Sequence, residues 1–166
     1  MKDTVIKKLN KMLACKEAVK WAKEQPNKQA AWDSCERGEW LLWLLGKLSE
    51  KSESQKRKKL VLCACDCATL AIKHSRKNRK VCEKAIQTTR AWTTGKATII
   101  EVRNAAAAAD AAAAYYAAYY AAAAAASAAA DAAYYGYAVY AAVARTKILK
   151  KCADIVRKHY PIAPKF

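Results

Sequence analysis

Residues 105–144 contain 26 alanines, 8 tyrosines and no lysine or arginine. Alanine has the highest helix propensity because its side chain loses no freedom in a helix, so this stretch is expected to be helical. At 1.5 Å rise per residue it would reach about 60 Å as a single rod, with Ser127 and Gly136 as places for a kink. Alanine also leaves little bulk between backbones, which lets neighbouring helices approach closely. Tyr115, Tyr116, Tyr119 and Tyr120 recur at i+3 and i+4, and Tyr134, Tyr137 and Tyr140 at i+3, the separations at which helical side chains meet. Two readings are compatible. The rings fill gaps around a central helix wrapped by others, or some of them line a cavity in which bases or sugars stack, with Tyr116 and Tyr120 as ligand positions. Residues 111–130 carry no charge and reach the length of a membrane span. They hold no Leu, Ile, Val or Phe and are bounded by Asp110 and Asp131, which argues against a span.

Around this tract the sequence predicts an all-α chain. Four glycines and three prolines in 166 residues leave few breaks, which favours long helices over a many-turned β fold. The expectation is one domain over 1–166, a bundle of about five to six helices around the Ala/Tyr-rich central helix. Its parts are a basic helical region (1–104), the tract (105–144), and a basic C-terminal helix and tail (145–166). In the first part, Asp3 or Thr4 caps a helix carrying Val5, Leu9, Met12 and Cys15 or Lys16 near helical spacing, and Pro26-Asn27 breaks the chain. A second helix is expected from about Gln29 to Leu48, a third from Lys56 to Lys73, and a fourth from Arg79 to Thr94 with Gly95 as its stop. Thr98-x-x-Glu101 reads as a capping box for the helix that enters the tract. The last helix runs through Ile148, Leu149, Cys152, Ile155 and Val156 and stops before Pro161.

The net charge of +17, from 31 Lys+Arg against 14 Asp+Glu, points to anionic partners. The three parts carry net charges of +13, −2 and +6. Seven cysteines are an odd number, their spacing suggests no disulfide framework, and residues 1–10 hold no apolar leader segment. The expectation is free thiols in a cytoplasmic setting.

The densest candidate for chemistry is the segment from Ala31 to Gly46, which holds three of the five tryptophans. On one continuous helix Trp32, Glu36, Trp40 and Trp43 would share a face, and Asp33 and Arg37 would form an i,i+4 pair. The plain reading is a core helix with an ion pair at its rim. The functional reading has Asp33 and Arg37 orienting a ligand beside the rings, because arginine next to tryptophan suits anion recognition. Cys63, Cys65 and Cys67 do not have knuckle spacing and sit among leucines, so they read as core thiols, with no metal site expected. Basic clusters at Lys56–Lys59 and at Lys73, Arg76, Lys77, Arg79 and Lys80 lie roughly 18 Å apart along helices, and Lys147, Lys150, Lys151, Arg157 and Lys158 add a third. No nucleic-acid-binding signature accompanies them, so nucleic acid is a less favoured partner. There is no phosphate loop, nucleophile elbow or carboxylate pair. A non-enzymatic protein without cofactors is expected.

Four segments carry a resemblance: Trp32-Asp33-Ser34-Cys35-Glu36-Arg37-Gly38-Glu39-Trp40-Leu41-Leu42-Trp43, the Cys63–Cys67 helix, Ala91-Trp92 through Val102-Arg103, and Lys151-Cys152-Ala153-Asp154-Ile155-Val156-Arg157-Lys158-His159-Tyr160-Pro161. From Ala30 onward the chain resembles the Imm-five-like family of immunity proteins, found beside polymorphic toxins in bacteria and in phage genomes. The resemblance implies an all-α fold and a binding role in biological conflict. By motif match it singles out Trp32, Asp33, Arg37, Trp40, Trp92, Arg103, Asp154 and Arg157. An immunity protein that mimics the polyanionic substrate of a nuclease toxin would be acidic, and +17 fits that poorly. The leading expectation is therefore sequestration of a phosphate-bearing small ligand, such as a nucleotide immune signal, in a cationic, aromatic-lined pocket, as in phage counter-defence. The alternative is an immunity protein that inhibits a cognate toxin through a protein–protein interface. An alanine-rich face also permits a homo-oligomer.

Overall fold

The computed structural model describes residues 3–49, 54–72, 79–109 and 146–165. Every regular element among them is a helix, and no strand occurs among the described residues. The helices are α1 (Asp3–Lys11), α2 (Lys16–Lys23), α3 (Lys28–Ser34), α4 (Gly38–Leu48), α5 (Gln55–Ile72) and α6 (Arg79–Thr93), with further helical stretches at 99–109 (α7) and 146–159 (α8). The all-α expectation therefore holds, with more and shorter helices than the five to six expected. The continuity of the alanine–tyrosine rod, the uncharged stretch 111–130, and Tyr116 and Tyr120 lie outside the described residues. No helix among the described residues is long and apolar enough to cross a membrane.

The chain divides into two compact units, Met1–Cys63 with Leu149–Phe166, and Ala64–Ile148. In the first unit, α1 and α2 form a hairpin around Ile6, Val19 and Ala22, with Leu9, Ala14 and Trp21 packed against them. Sequence periodicity ran one helix past Met12. The chain instead turns at Leu13, which adopts a left-handed φ of 64°. The amide of Ala14 then reaches back to the carbonyl of Leu9 (3.0 Å) and that of Leu13 to Asn10 (2.9 Å), closing the helix end in the manner usually given to glycine.

Asn27 caps α3, its side chain accepting from the Ala30 amide at 2.9 Å. The helix expected over 29–48 is broken in two. It ends at Ser34, passes through the extended residue Cys35 (ψ 116°) and restarts at Gly38. The reason is tertiary. Gly38 lies against α8 so closely that a methyl group there would sit 2.6 Å from Cys152 Cβ and 2.7 Å from the Ala153 nitrogen. A straight helix through Glu36 and Arg37 would not deliver that glycine to that surface. At the first-unit end of α5, Ser54 caps the helix by accepting from the Arg57 amide, and Cys63 is wholly buried.

In the second unit, Arg90 of α6 donates to Asp66 Oδ1 of α5 at 2.6 Å. Gly95 takes φ 75° and ends α6, with the amide of Lys96 bonded to the carbonyl of Ala91 at 2.9 Å. The expected capping box forms. Thr98 N donates to Glu101 Oε2 (2.7 Å) and Glu101 N to Thr98 Oγ1 (3.2 Å). The Thr98 amide first, and the Thr98 hydroxyl donating to the same oxygen at 2.9 Å, hold the Glu101 carboxyl below its ordinary value.

Candidate functional site

The C-terminal tail is tied to α3 by two side chains, and α8 by a third. The buried indole of Trp32 donates to the Tyr160 carbonyl at 2.8 Å. Gln29 donates to the Pro161 carbonyl (3.2 Å) and accepts from the Ala163 amide (2.9 Å). From α8, Arg157 donates to the carbonyls of Cys35 (2.7 Å) and Trp32 (3.3 Å), where α3 leaves carbonyls without helical partners. Its other terminal nitrogen pairs with Asp154 at 2.6 Å. The Lys59 ammonium lies 4.7 Å from the Tyr160 ring centre, and Lys150 pairs with Glu36 at 2.5 Å. Burial pushes the Cys35 thiol up, which keeps it protonated under this clasp.

Beside the clasp lies an apolar groove of about 420 Å³. The α1–α2 hairpin supplies Val5, Leu9, Leu13, Ala18 and Trp21 to one wall; α3 and α4 supply Trp32, Trp40, Trp43 and Leu44 to the other, and Ala163 and Pro164 of the tail close it. Trp21 and Trp40 meet with centroids 6.1 Å apart at 55°, a tilted pairing typical of aromatic contacts. The Arg37 guanidinium covers the Trp40 ring at 4.5 Å and pairs with Glu39 Oε1 at 2.5 Å. The other oxygen of that carboxylate, Glu39 Oε2, is buried and has no hydrogen-bond partner among the described residues, and Glu39 itself lines the groove. At the groove's margin Leu13 is 82% exposed, and Cys15 is an exposed free thiol.

The structure brings Trp32, Arg37, Trp40, Asp154 and Arg157 into this one unit. Trp32 and Trp40 line the groove, Arg37 stacks on it from outside, and Asp154 and Arg157 brace its back. The expected Asp33–Arg37 pair does not form, because the helix ends between them. Asp33 is exposed and accepts from Gln29 at 2.9 Å instead. Trp92 and Arg103 lie in the second unit, Trp92 half-buried near the end of α6 and Arg103 exposed on α7. That unit has its own cleft of about 360 Å³ between α6 and α7, lined by Val81, Thr88, Glu101 and Asn104 among others. Cys63, Cys65 and Cys67 are all buried, and burial pushes the Cys65 thiol up. Among the described residues no group of three or more His, Cys, Asp or Glu side chains is placed to hold a metal.

Sequence reasoning passed over Leu13, Trp21 and Glu39 as site residues. Glu39 had a readable signal, a carboxylate two residues from Arg37. Leu13 had none, because nothing in a leucine announces a left-handed backbone.

Among the described residues these features define an all-helical fold that carries an apolar, tryptophan-lined groove. The chain belongs to the Imm-5 like putative immunity protein family, whose model matches residues 50–159. The match takes in the Cys63–Cys67 helix, the Trp92–Arg103 segment and α8, and starts after the tryptophan segment 32–43. No curated protein and no solved structure matches the chain.

Proposed function

We propose that this chain neutralises a cognate toxin by binding it, without catalysis, through the groove on α1–α4. The observation that carries this reading is an open apolar groove with a leucine held out beside it. Contiguous exposed apolar surface on a soluble protein marks an interaction site, and tryptophan and arginine dominate the binding energy of protein interfaces. Trp21, Trp40 and Trp43 with Arg37 supply both residue types. Membership of an immunity family names the kind of partner.

The reading of a nucleotide sponge retains one favourable observation, the Arg37 guanidinium stacked on Trp40 at 4.5 Å. It has less support, because that guanidinium is already neutralised by Glu39 and the groove walls are apolar. A phosphate in such walls would lose more hydration than one paired arginine returns.

The proposal predicts a toxin gene beside the gene for this chain, and co-expression of the two tests it. The intact chain should restore growth, and Leu13→Asp should fold but fail to protect. Failure of the intact chain to restore growth, alongside a nucleotide-induced rise in Tm, would favour the sponge.

A further inference from the structure

Resting on the reading of the groove as the binding surface, we infer that residues 161–165 are a displaceable strap. Seated, the strap narrows the groove through Ala163 and Pro164. An apolar occupant releases it by breaking its two hydrogen bonds to Gln29.

The C-terminal segment changes character at Tyr160. Up to that residue it is held from several sides. The Tyr160 amide bonds to the Val156 carbonyl at 2.8 Å, the Tyr160 carbonyl accepts from the buried Trp32 indole, and the Lys59 ammonium lies over its ring. Pro161 then stops the helix, because it brings no amide hydrogen and its ring turns the preceding residue away from helical geometry.

Beyond that point the hold is thin. Among the described residues, two hydrogen bonds tie the strap down, and both go to the Gln29 side chain. Nε2 donates to the Pro161 carbonyl at 3.2 Å, and Oε1 accepts from the Ala163 amide at 2.9 Å. Bonds of this kind contribute modestly, since water competes for the same groups. Apolar packing adds little. The strap's largest apolar side chain, Ile162, is 76% exposed, and the buried Ala163 offers a single methyl group.

Yet this weakly held piece lies in a groove walled by Trp21, Trp32, Trp40 and Trp43. Tryptophan rings offer far more apolar area than an alanine and a proline can cover. An occupant that brings a larger apolar group to these rings gains more by displacing the strap than the strap loses by leaving. The hinge after Tyr160 lets it leave without disturbing the bond between Trp32 and Tyr160.

The test uses N-phenyl-1-naphthylamine, an uncharged dye that brightens in apolar sites, on the full-length chain. Gln29→Ala removes both ties and leaves every groove-lining side chain in place. A seated strap lowers apparent affinity by the fraction of molecules that are open. Gln29→Ala should therefore tighten the dye about tenfold, the equivalent of one net hydrogen bond. Ile162→Ser, on the strap's exposed side, should leave dye binding unchanged. Equal or weaker affinity in Gln29→Ala, or no binding by either protein, would overturn the inference. A second readout needs no variant and decides the matter should Gln29→Ala not fold. Amide exchange of the unaltered chain, followed by NMR, should show saturating dye speeding exchange at Ala163 while Tyr160 stays protected. Unchanged or slower exchange at Ala163 would mark a fixed wall or a clamp and overturn the inference. Neither experiment involves a toxin. If the strap releases but the chain fails to rescue growth, the strap stands and the immunity reading falls. If the chain rescues growth while the strap stays fixed, only this inference falls.

Discussion

The indole N–H of Trp32 and the carbonyl of Tyr160, 128 residues apart in sequence, are 2.8 Å apart in the fold. This bond, with Arg157 on the carbonyls at the end of α3, makes the groove's back wall a joint between two distant segments. Trp32→Phe keeps the ring but strands the Tyr160 carbonyl. It should destabilise the first unit by about 1–2 kcal/mol, the cost of an unsatisfied buried acceptor, read as a lower urea midpoint at unchanged m. Arg157→Lys should cost a similar amount, because an ammonium cannot span two carbonyls and Asp154 with one planar fork.

Gly38 is the contact point of α4 with α8. Gly38→Ala forces a methyl group into the Cβ of Cys152 and the backbone of Ala153, and backbone cannot step aside as a flexible side chain can. The expected loss is about 2–3 kcal/mol, against a slight gain were the same change made at an open helical site. Gly46, with nothing within 4 Å of its missing methyl, is that open site on the same helix, and Gly46→Ala is the control.

The seven cysteines should separate by reactivity. Cys15 is exposed, Cys82 half-buried, and Cys35, Cys63, Cys65, Cys67 and Cys152 are buried. Thiol titration of the native protein should modify Cys15 first and Cys82 next, with the remaining five appearing only in denaturant. Raised thiol pKa values at Cys35 and Cys65 reinforce their protection, since the thiolate is the reacting species. Early loss of Cys35 would show that the clasp opens easily.

The capping box at the start of α7 should be sensitive to acid. The Glu101 carboxyl is held below its ordinary value by the Thr98 backbone and hydroxyl. Its contribution is therefore present above the unfolded-state pKa and lost as pH falls through the lower folded value. NMR titration should find Glu101 below the exposed glutamates of the same protein. Glu101→Gln should flatten the part of the stability–pH curve that lies under the ordinary carboxylate range.

What could be read beforehand was local. Asn27, Gly95 and the Thr98–Glu101 pair announce helix ends through bonds that close within a few residues, and the structure keeps all three. The break at Cys35–Arg37 was hidden because its cause, the approach of Gly38 to Cys152 and Ala153, involves residues more than a hundred positions away. Asp33 and Arg37 have good spacing for a pair, yet the spacing has meaning only on a helix that does not exist there. Trp32, Arg37, Trp40 and Arg157 were singled out by residue type and motif. Whether each would face a partner or brace a wall depends on α8 and the tail, which no periodicity within 29–48 encodes.

The clasp also sets an order of assembly. During synthesis the tryptophan-bearing helices emerge long before the strap that holds them, and Trp32 has no acceptor until Tyr160 leaves the ribosome. At about 5–20 residues per second, the half-built groove spends several seconds with its aromatic faces open to the cell. The groove acquires its back wall only when translation has passed α8.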